Sequence, residues 1–153
     1  SAGPNQLRDP GFESPPLSAW ALLVEPPADA LLASDPIAPA GGSRSARIDI
    51  SSGAGARGAI ALVQEGVALE AGRRYRVTVR ARADEPREFR VNVTSPGGGT
   101  YAARVLTAGT GWAAFELDFV AIVDDPAASV RFELGRSAVT TWFDDAALAP
   151  IAD

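Results

Sequence analysis

The sequence contains no cysteine and no histidine, and it lacks lysine and methionine as well. The first two absences exclude disulfides, thiolate nucleophiles, Ser-His-Asp triads and every imidazole or thiolate metal site. The chemistry that remains belongs to carboxylates, hydroxyls and arginine. With lysine missing, all 14 basic residues are arginines, and the formal net charge of −5 gives no electrostatic pull toward nucleic acid. No run of about 18 apolar residues would cross a bilayer as a helix, so no membrane is expected as a partner. Aromatics are few, with three Trp, two Tyr and six Phe in 153 residues.

Without methionine the first residue is not a natural start, and the chain reads as a segment of something longer. Residues 1–4 read as linker or a leftover of excision, and residues 5–150 as a single module. A chain of this length folded as one domain buries about 70% of its extended surface, which is enough for a core of its own.

What is present is alternation. Tyr75, Val77, Val79 and Ala81 alternate with Arg74, Arg76, Thr78 and Arg80, and Phe89, Val91 and Val93 with Arg90, Asn92 and Thr94. Phe115, Leu117 and Phe119 behave likewise against Glu116 and Asp118, as do Val130, Phe132 and Leu134 against Arg131 and Glu133. This period of two marks half-buried antiparallel strands, and no window keeps a helical stripe. Turn clusters such as Glu70-Ala71-Gly72, Ser95-Pro96-Gly97-Gly98-Gly99 and Asp124-Asp125-Pro126 separate the runs. The pattern predicts an all-β fold, a two-sheet antiparallel β-sandwich of the jelly-roll type with nine or ten strands. Two weaker strands are expected at 19–24 and 30–34, inside a proline-rich region. Trp20, Tyr75, Trp112, Phe115, Phe119 and Phe132 read as core or rim, and Trp142 shares parity with Asp144, Ala146 and Leu148, which favours the interior.

Six segments occur in a telling order: Asn5-Gln6-Leu7-Arg8-Asp9-Pro10-Gly11-Phe12-Glu13, Ser18-Ala19-Trp20, Gly42-Ser43-Arg44-Ser45, Leu69-Glu70-Ala71-Gly72, Thr110-Gly111-Trp112 and Trp142-Phe143-Asp144-Asp145. In this order, from about Asn5 to Leu148, the chain resembles the carbohydrate-binding modules of the family 4, 9 and 22 type. The resemblance implies a structural calcium ion held by Glu13, by Asp144 and by backbone oxygens near Gly11 and Arg44, fastening the two ends of the chain together. Calcium prefers such sets of carboxylate and carbonyl oxygens. Where some members supply a further acid before the Gly-Ser turn, this chain has Ala40-Gly41. Capping of backbone amides by Glu13 and Asp144 is the plainer alternative.

The resemblance also implies a glycan cleft on the outward face of one concave sheet, built from strands near 59–63, 90–94, 100–106 and 130–134. Parity projects Ala59, Ala61, Arg90, Asn92, Arg131 and Glu133 outward, with Tyr101 the one aromatic expected to join them as a stacking platform. Two arginines would also suit an acidic polysaccharide. Where family members place a stacking Trp, this chain reads Gly55-Ala56-Arg57-Gly58. The acid pairs Glu116 with Asp118 and Glu65 with Glu70 belong to solvated faces or turns rather than to a catalytic cleft, which needs two carboxylates about 5 to 10 Å apart. The reading is a noncatalytic, secreted or cell-surface module with a polysaccharide or oligosaccharide as partner, covalently linked to parent domains. A structural or protein-interaction sandwich without a glycan ligand is the alternative.

Overall fold

The computed structural model describes residues 3–152. Ten antiparallel strands make two five-stranded sheets: β1 (Ala21–Val24), β2 (Asp29–Asp35), β3 (Ser45–Ser52), β4 (Ile60–Leu69), β5 (Arg74–Ala83), β6 (Arg87–Thr94), β7 (Thr100–Ala108), β8 (Ala113–Val120), β9 (Asp125–Glu133) and β10 (Thr141–Pro150). The first sheet runs β1-β4-β9-β6-β7 and the second β2-β3-β10-β5-β8. One 3-10 turn, Arg57–Ala59, precedes β4, and no α-helix occurs among the described residues. The expected sandwich and both proline-flanked strands are present. Ala59 departs from its expected place, since it sits in that turn and joins the core.

The alternation is what closes the sandwich. Tyr75, Val77, Val79, Ala81 and Ala83 bury one face of β5, and Phe89, Val91 and Val93 one face of β6. Each buried Val or Phe among them contributes about 1.5–3 kcal/mol by leaving water, and each Ala less. Six rings form a continuous ladder across the core: Phe12 lies 4.8 Å from Trp20, Trp20 6.0 Å from Phe132, Phe132 5.2 Å from Phe143, Phe143 5.5 Å from Phe89, and Phe89 5.3 Å from Phe115. Tyr75 and Phe119 stack separately at 5.7 Å. Eight of the few aromatics are thereby committed to packing.

The last strand lies in the middle of its sheet, between β3 and β5. The first segment forms no strand, yet it is bonded to β10: Gly3 N donates to Pro150 O at 2.7 Å, Gln6 N to Leu148 O at 2.8 Å and Ala146 N to Pro10 O at 2.9 Å. Along β10 the pairing with β5 slips between Asp144 and Ala147, and Asp145 takes a φ of +48°. A bulge of this kind puts one extra residue into the alternation. Phe143, Ala146 and Leu148 consequently face the core, whereas Trp142 does not, contrary to its expected parity. Trp142 is buried on the outer side of the second sheet, where its Nε1 donates to Asp35 Oδ2 at 2.8 Å and Arg82 lies 3.9 Å over its ring. Trp112 flanks the same guanidinium at 5.3 Å and donates from Nε1 to Ala38 O.

Candidate functional site

On the outer face of the first sheet lies a groove of about 600 Å³. Val63 of β4, Thr94 of β6 and Ser129 and Arg131 of β9 contribute to it, together with Arg8, Glu65 and the Ser95–Gly98 turn. Strand pairing explains the convergence. Thr94 faces Ser129 and Asn92 faces Arg131 across the β6–β9 ladder, while Val63 faces Arg131 across β4–β9. Residues opposite one another on adjacent antiparallel strands share a face.

At one end of this face the buried carboxylate of Glu133 accepts hydrogen bonds from Arg90 Nε, from Arg131 Nε at 3.1 Å and from Asn92 Nδ2 at 3.4 Å. All four of these expected ligand residues are therefore brought together. Their roles divide, however: Glu133 is only 3% exposed and serves as the anchor that orients two guanidiniums, and of the four only Arg131 lines the groove. A Cβ on Gly58 would come within 3.3 Å of Glu133 Oε2, so the backbone of the turn before β4 roofs the carboxylate. That turn is held down by a much closer contact, because a Cβ on Gly135 would fall 1.8 Å from Ala56 O.

Tyr101 is not in the groove. The β6–β7 ladder pairs Val93 with Ala102 and Thr94 with Thr100, leaving Tyr101 as the extra residue of a bulge. Tyr101 and Ala102 both pack against the core, and the phenolic hydroxyl donates to Asp125 Oδ2 at 2.6 Å. That hydrogen bond, with burial and the Asp125 charge, raises the Tyr101 pKa above its ordinary value. The bulge breaks the parity on which its expected platform role rested. Arg8, Thr94 and Ser129 were missed as groove residues, Arg8 because it lies in an irregular segment with no periodic signal.

A family model described as a carbohydrate binding domain matches residues 4–141. The chain belongs to that carbohydrate-binding family. No curated protein sequence matches the module. Among solved structures it resembles one described as "CBM4 structure and function", at 23% identity over 86% of both chains with a TM-score of 0.73. It also resembles the N-terminal cellulose-binding domain of Cellulomonas fimi β-1,4-glucanase C, at 22% identity over 93% of this chain and 94% of that one, with a TM-score of 0.64. In the arabinose-bound α-L-arabinofuranosidase MgGH51, 95% of this chain matches 26% of the enzyme at 16% identity and a TM-score of 0.75. At such identities these structural likenesses concern the fold.

Away from the groove, the carbohydrate-binding module holds one turn with two acids distant in sequence. Glu13 Oε1 accepts from Ser43 N at 2.9 Å and Oε2 from Arg44 N at 3.1 Å. Asp144 Oδ2 accepts from Gly41 N at 3.0 Å, and its Oδ1 from Asp145 N at 2.8 Å. Gly42 sits at a φ of +65°, and a Cβ there would lie 2.6 Å from Glu13 Oε2, so the turn requires glycine on both counts. Gly11 rests against the Glu13 side chain, and Arg44 donates from its guanidinium to Ser34 Oγ at 3.0 Å.

Asp144 is wholly buried, and that burial raises its pKa despite backbone donors from Gly41, Asp145 and Ala40 that act to lower it. Two more oxygens nearby are buried without a partner among the described residues: Asp9 Oδ2, whose carboxylate also accepts from Glu13 N, and Ser45 Oγ, one step beyond the Ala46–Phe143 pair of β3 and β10. Among the described residues no three acidic, histidine or cysteine side chains converge on one point. An ion here would draw on two carboxylates and backbone carbonyls. The oxygen-only donor set and the orphaned oxygens fit a hard cation.

Proposed function

We propose that this carbohydrate-binding module is a noncatalytic targeting domain, which holds a glycan chain in the groove beside β4, β6 and β9 and carries a covalently linked, secreted or cell-surface parent protein to polysaccharide. The groove itself carries the reading: about 600 Å³ of open space lined by hydroxyls and a guanidinium fixed by Glu133. Binding pockets combine such convergent polar groups with a preformed cleft. A noncatalytic role is supported by the same residues, since Glu65 is the one acid lining the groove and Glu133 is locked between two arginines. Glycoside hydrolysis needs two available carboxylates. The linked parent is supported by the arabinofuranosidase, in which the like-folded part is about a quarter of a larger enzyme.

In the same reading Glu13 and Asp144, with backbone oxygens near Gly11 and Arg44, hold a structural calcium ion. The ion neutralises a buried carboxylate and ties the first segment to β10.

A second reading, a structural or protein-interaction sandwich without a glycan, is favoured by one observation: no aromatic residue lines the groove. Titration calorimetry against soluble xylan, β-glucan and a uronic-acid polymer separates the two. Binding that weakens about tenfold in Arg131→Ala supports targeting, and absence of binding to every polymer supports the second reading.

A further inference from the structure

Resting on the proposal that the groove binds a glycan, we infer that its ligand is an anionic one, a polysaccharide bearing carboxylate or sulfate groups. Stacking is unavailable to this site. All six Phe, Trp20 and Tyr75 pack in the core, Trp112 and Trp142 hold Arg82 on the opposite sheet, and Tyr101 is turned to Asp125. A neutral sugar ring presents apolar C–H faces that aromatic platforms recognise, and here it would meet none.

What the groove offers instead is N–H donors and positive charge. Arg8 lines it without an ion-pair partner among the described residues, and its guanidinium is held in place by a bond from Nη2 to Glu65 O at 3.3 Å. Arg131 spends only Nε on Glu133. Its terminal nitrogens make no hydrogen bond among the described residues, and its side chain remains 23% exposed on the groove. Glu133 carries one negative charge but is shared by Arg90 and Arg131, so the trio retains a net positive charge. Glu65 alone opposes it from the lining. A cationic groove on a chain of net charge −5 is a local concentration of one sign against the trend of the whole. Thr94 and Ser129 add small hydroxyls to the lining, suited to sugar hydroxyls rather than to charge. Guanidinium forks match carboxylate and sulfate oxygens, and charge-assisted hydrogen bonds are about twice as strong as neutral ones.

The test is calorimetric titration of the folded protein with polygalacturonate, its fully methyl-esterified form, a sulfated galactan, the same galactan unsulfated, and neutral xylan, at low and moderate salt. Expected is binding to at least one charged polymer that is about tenfold weaker for the esterified or unsulfated counterpart and weakens with salt. Preference between the uronate and the sulfated galactan identifies which anion is read. Arg8→Ala reduces that affinity about tenfold at unchanged melting temperature, and Arg131→Ala reduces it by a similar factor with some loss of stability, because it removes one of the two guanidiniums on buried Glu133. Arg131→Lys, which keeps the charge, retains more of it than Arg131→Ala should the truncation disturb Glu133. Equal or tighter binding of the neutral polymers overturns the inference while leaving glycan binding standing. Charged-polymer binding indifferent to both arginines overturns it as nonspecific adsorption. Failure to bind any polymer removes the glycan reading itself.

Discussion

The hydroxyl of Tyr101 and the carboxylate of Asp125 meet at 2.6 Å beside the β6–β7 bulge, so that the aromatic best placed by sequence to stack on a sugar is bonded away from the groove. The phenol donates to an ionised acid and would lose that bond on ionising. Its pKa is therefore raised, first by the hydrogen bond, then by burial and by the Asp125 charge. A group whose folded pKa lies above its unfolded value stabilises fully below the unfolded value, about 10, and loses that contribution as pH rises through the folded one. In an absorbance titration at alkaline pH, one of the two tyrosines should ionise later in the parent protein than in Asp125→Asn. Tyr101→Phe should leave glycan affinity unchanged. A large loss of affinity in that variant would put Tyr101 back in the site.

Asp35, on the other sheet, adds stability that depends on pH. Burial acts to raise its pKa, but donors from Ile37 and Trp142 and the charges of Arg47 and Arg82 outweigh it and hold the carboxyl below its ordinary 3.8. The stabilisation is thus present above about pH 4 and lost as pH falls through the lower folded value. Asp35→Asn should cost about 1.5–3 kcal/mol near neutral pH, the worth of a hydrogen bond to a charged group. In urea unfolding the gap between variant and parent should narrow progressively as pH falls below about 4. A gap of constant size would show that the carboxylate charge is irrelevant.

Chelation should lower the melting temperature if the turn at 41–44 closes on calcium. A ligand binding only the folded state at a hundredfold over its dissociation constant adds about 2.7 kcal/mol. Asp144→Ala should abolish the response to chelator. Protein free of calcium by elemental analysis and unaffected by chelator would leave Glu13 and Asp144 as amide caps alone.

Gly135→Ala should be among the costlier single-atom changes, because the added carbon would fall 1.8 Å from Ala56 O. Overpacking of this kind costs about 1–3 kcal/mol. It should also loosen the turn roofing Glu133 and weaken glycan binding, whereas Gly109→Ala, with open space at the added carbon and away from the groove, should do neither. Denaturant midpoints and titrations on both variants check this.

The convergence of Arg90, Asn92, Arg131 and Glu133 was legible because β6 and β9 pair without a slip over those residues, so period-two parity carries straight into space. Tyr101 and Trp142 were misread for one shared reason. Each lies on a strand whose alternation is broken by a bulge, at Tyr101 itself and at Asp145, and neither bulge leaves a periodic mark in sequence. Arg8 escaped notice because its place is fixed by bonds to Gln64 and Glu65, far along the chain, rather than by any local pattern.

The antiparallel seam between the first segment and β10 also has a mechanical meaning. Residues 3 and 150 adjoin, and the bonds from Gly3 to Pro150, Gln6 to Leu148 and Ala146 to Pro10 follow one another inward like the teeth of a zip. Tension applied through flanking polypeptide would load these bonds singly, outermost first, rather than all at once in shear. Force applied between the two ends of the module would therefore peel the seam before the sandwich opens.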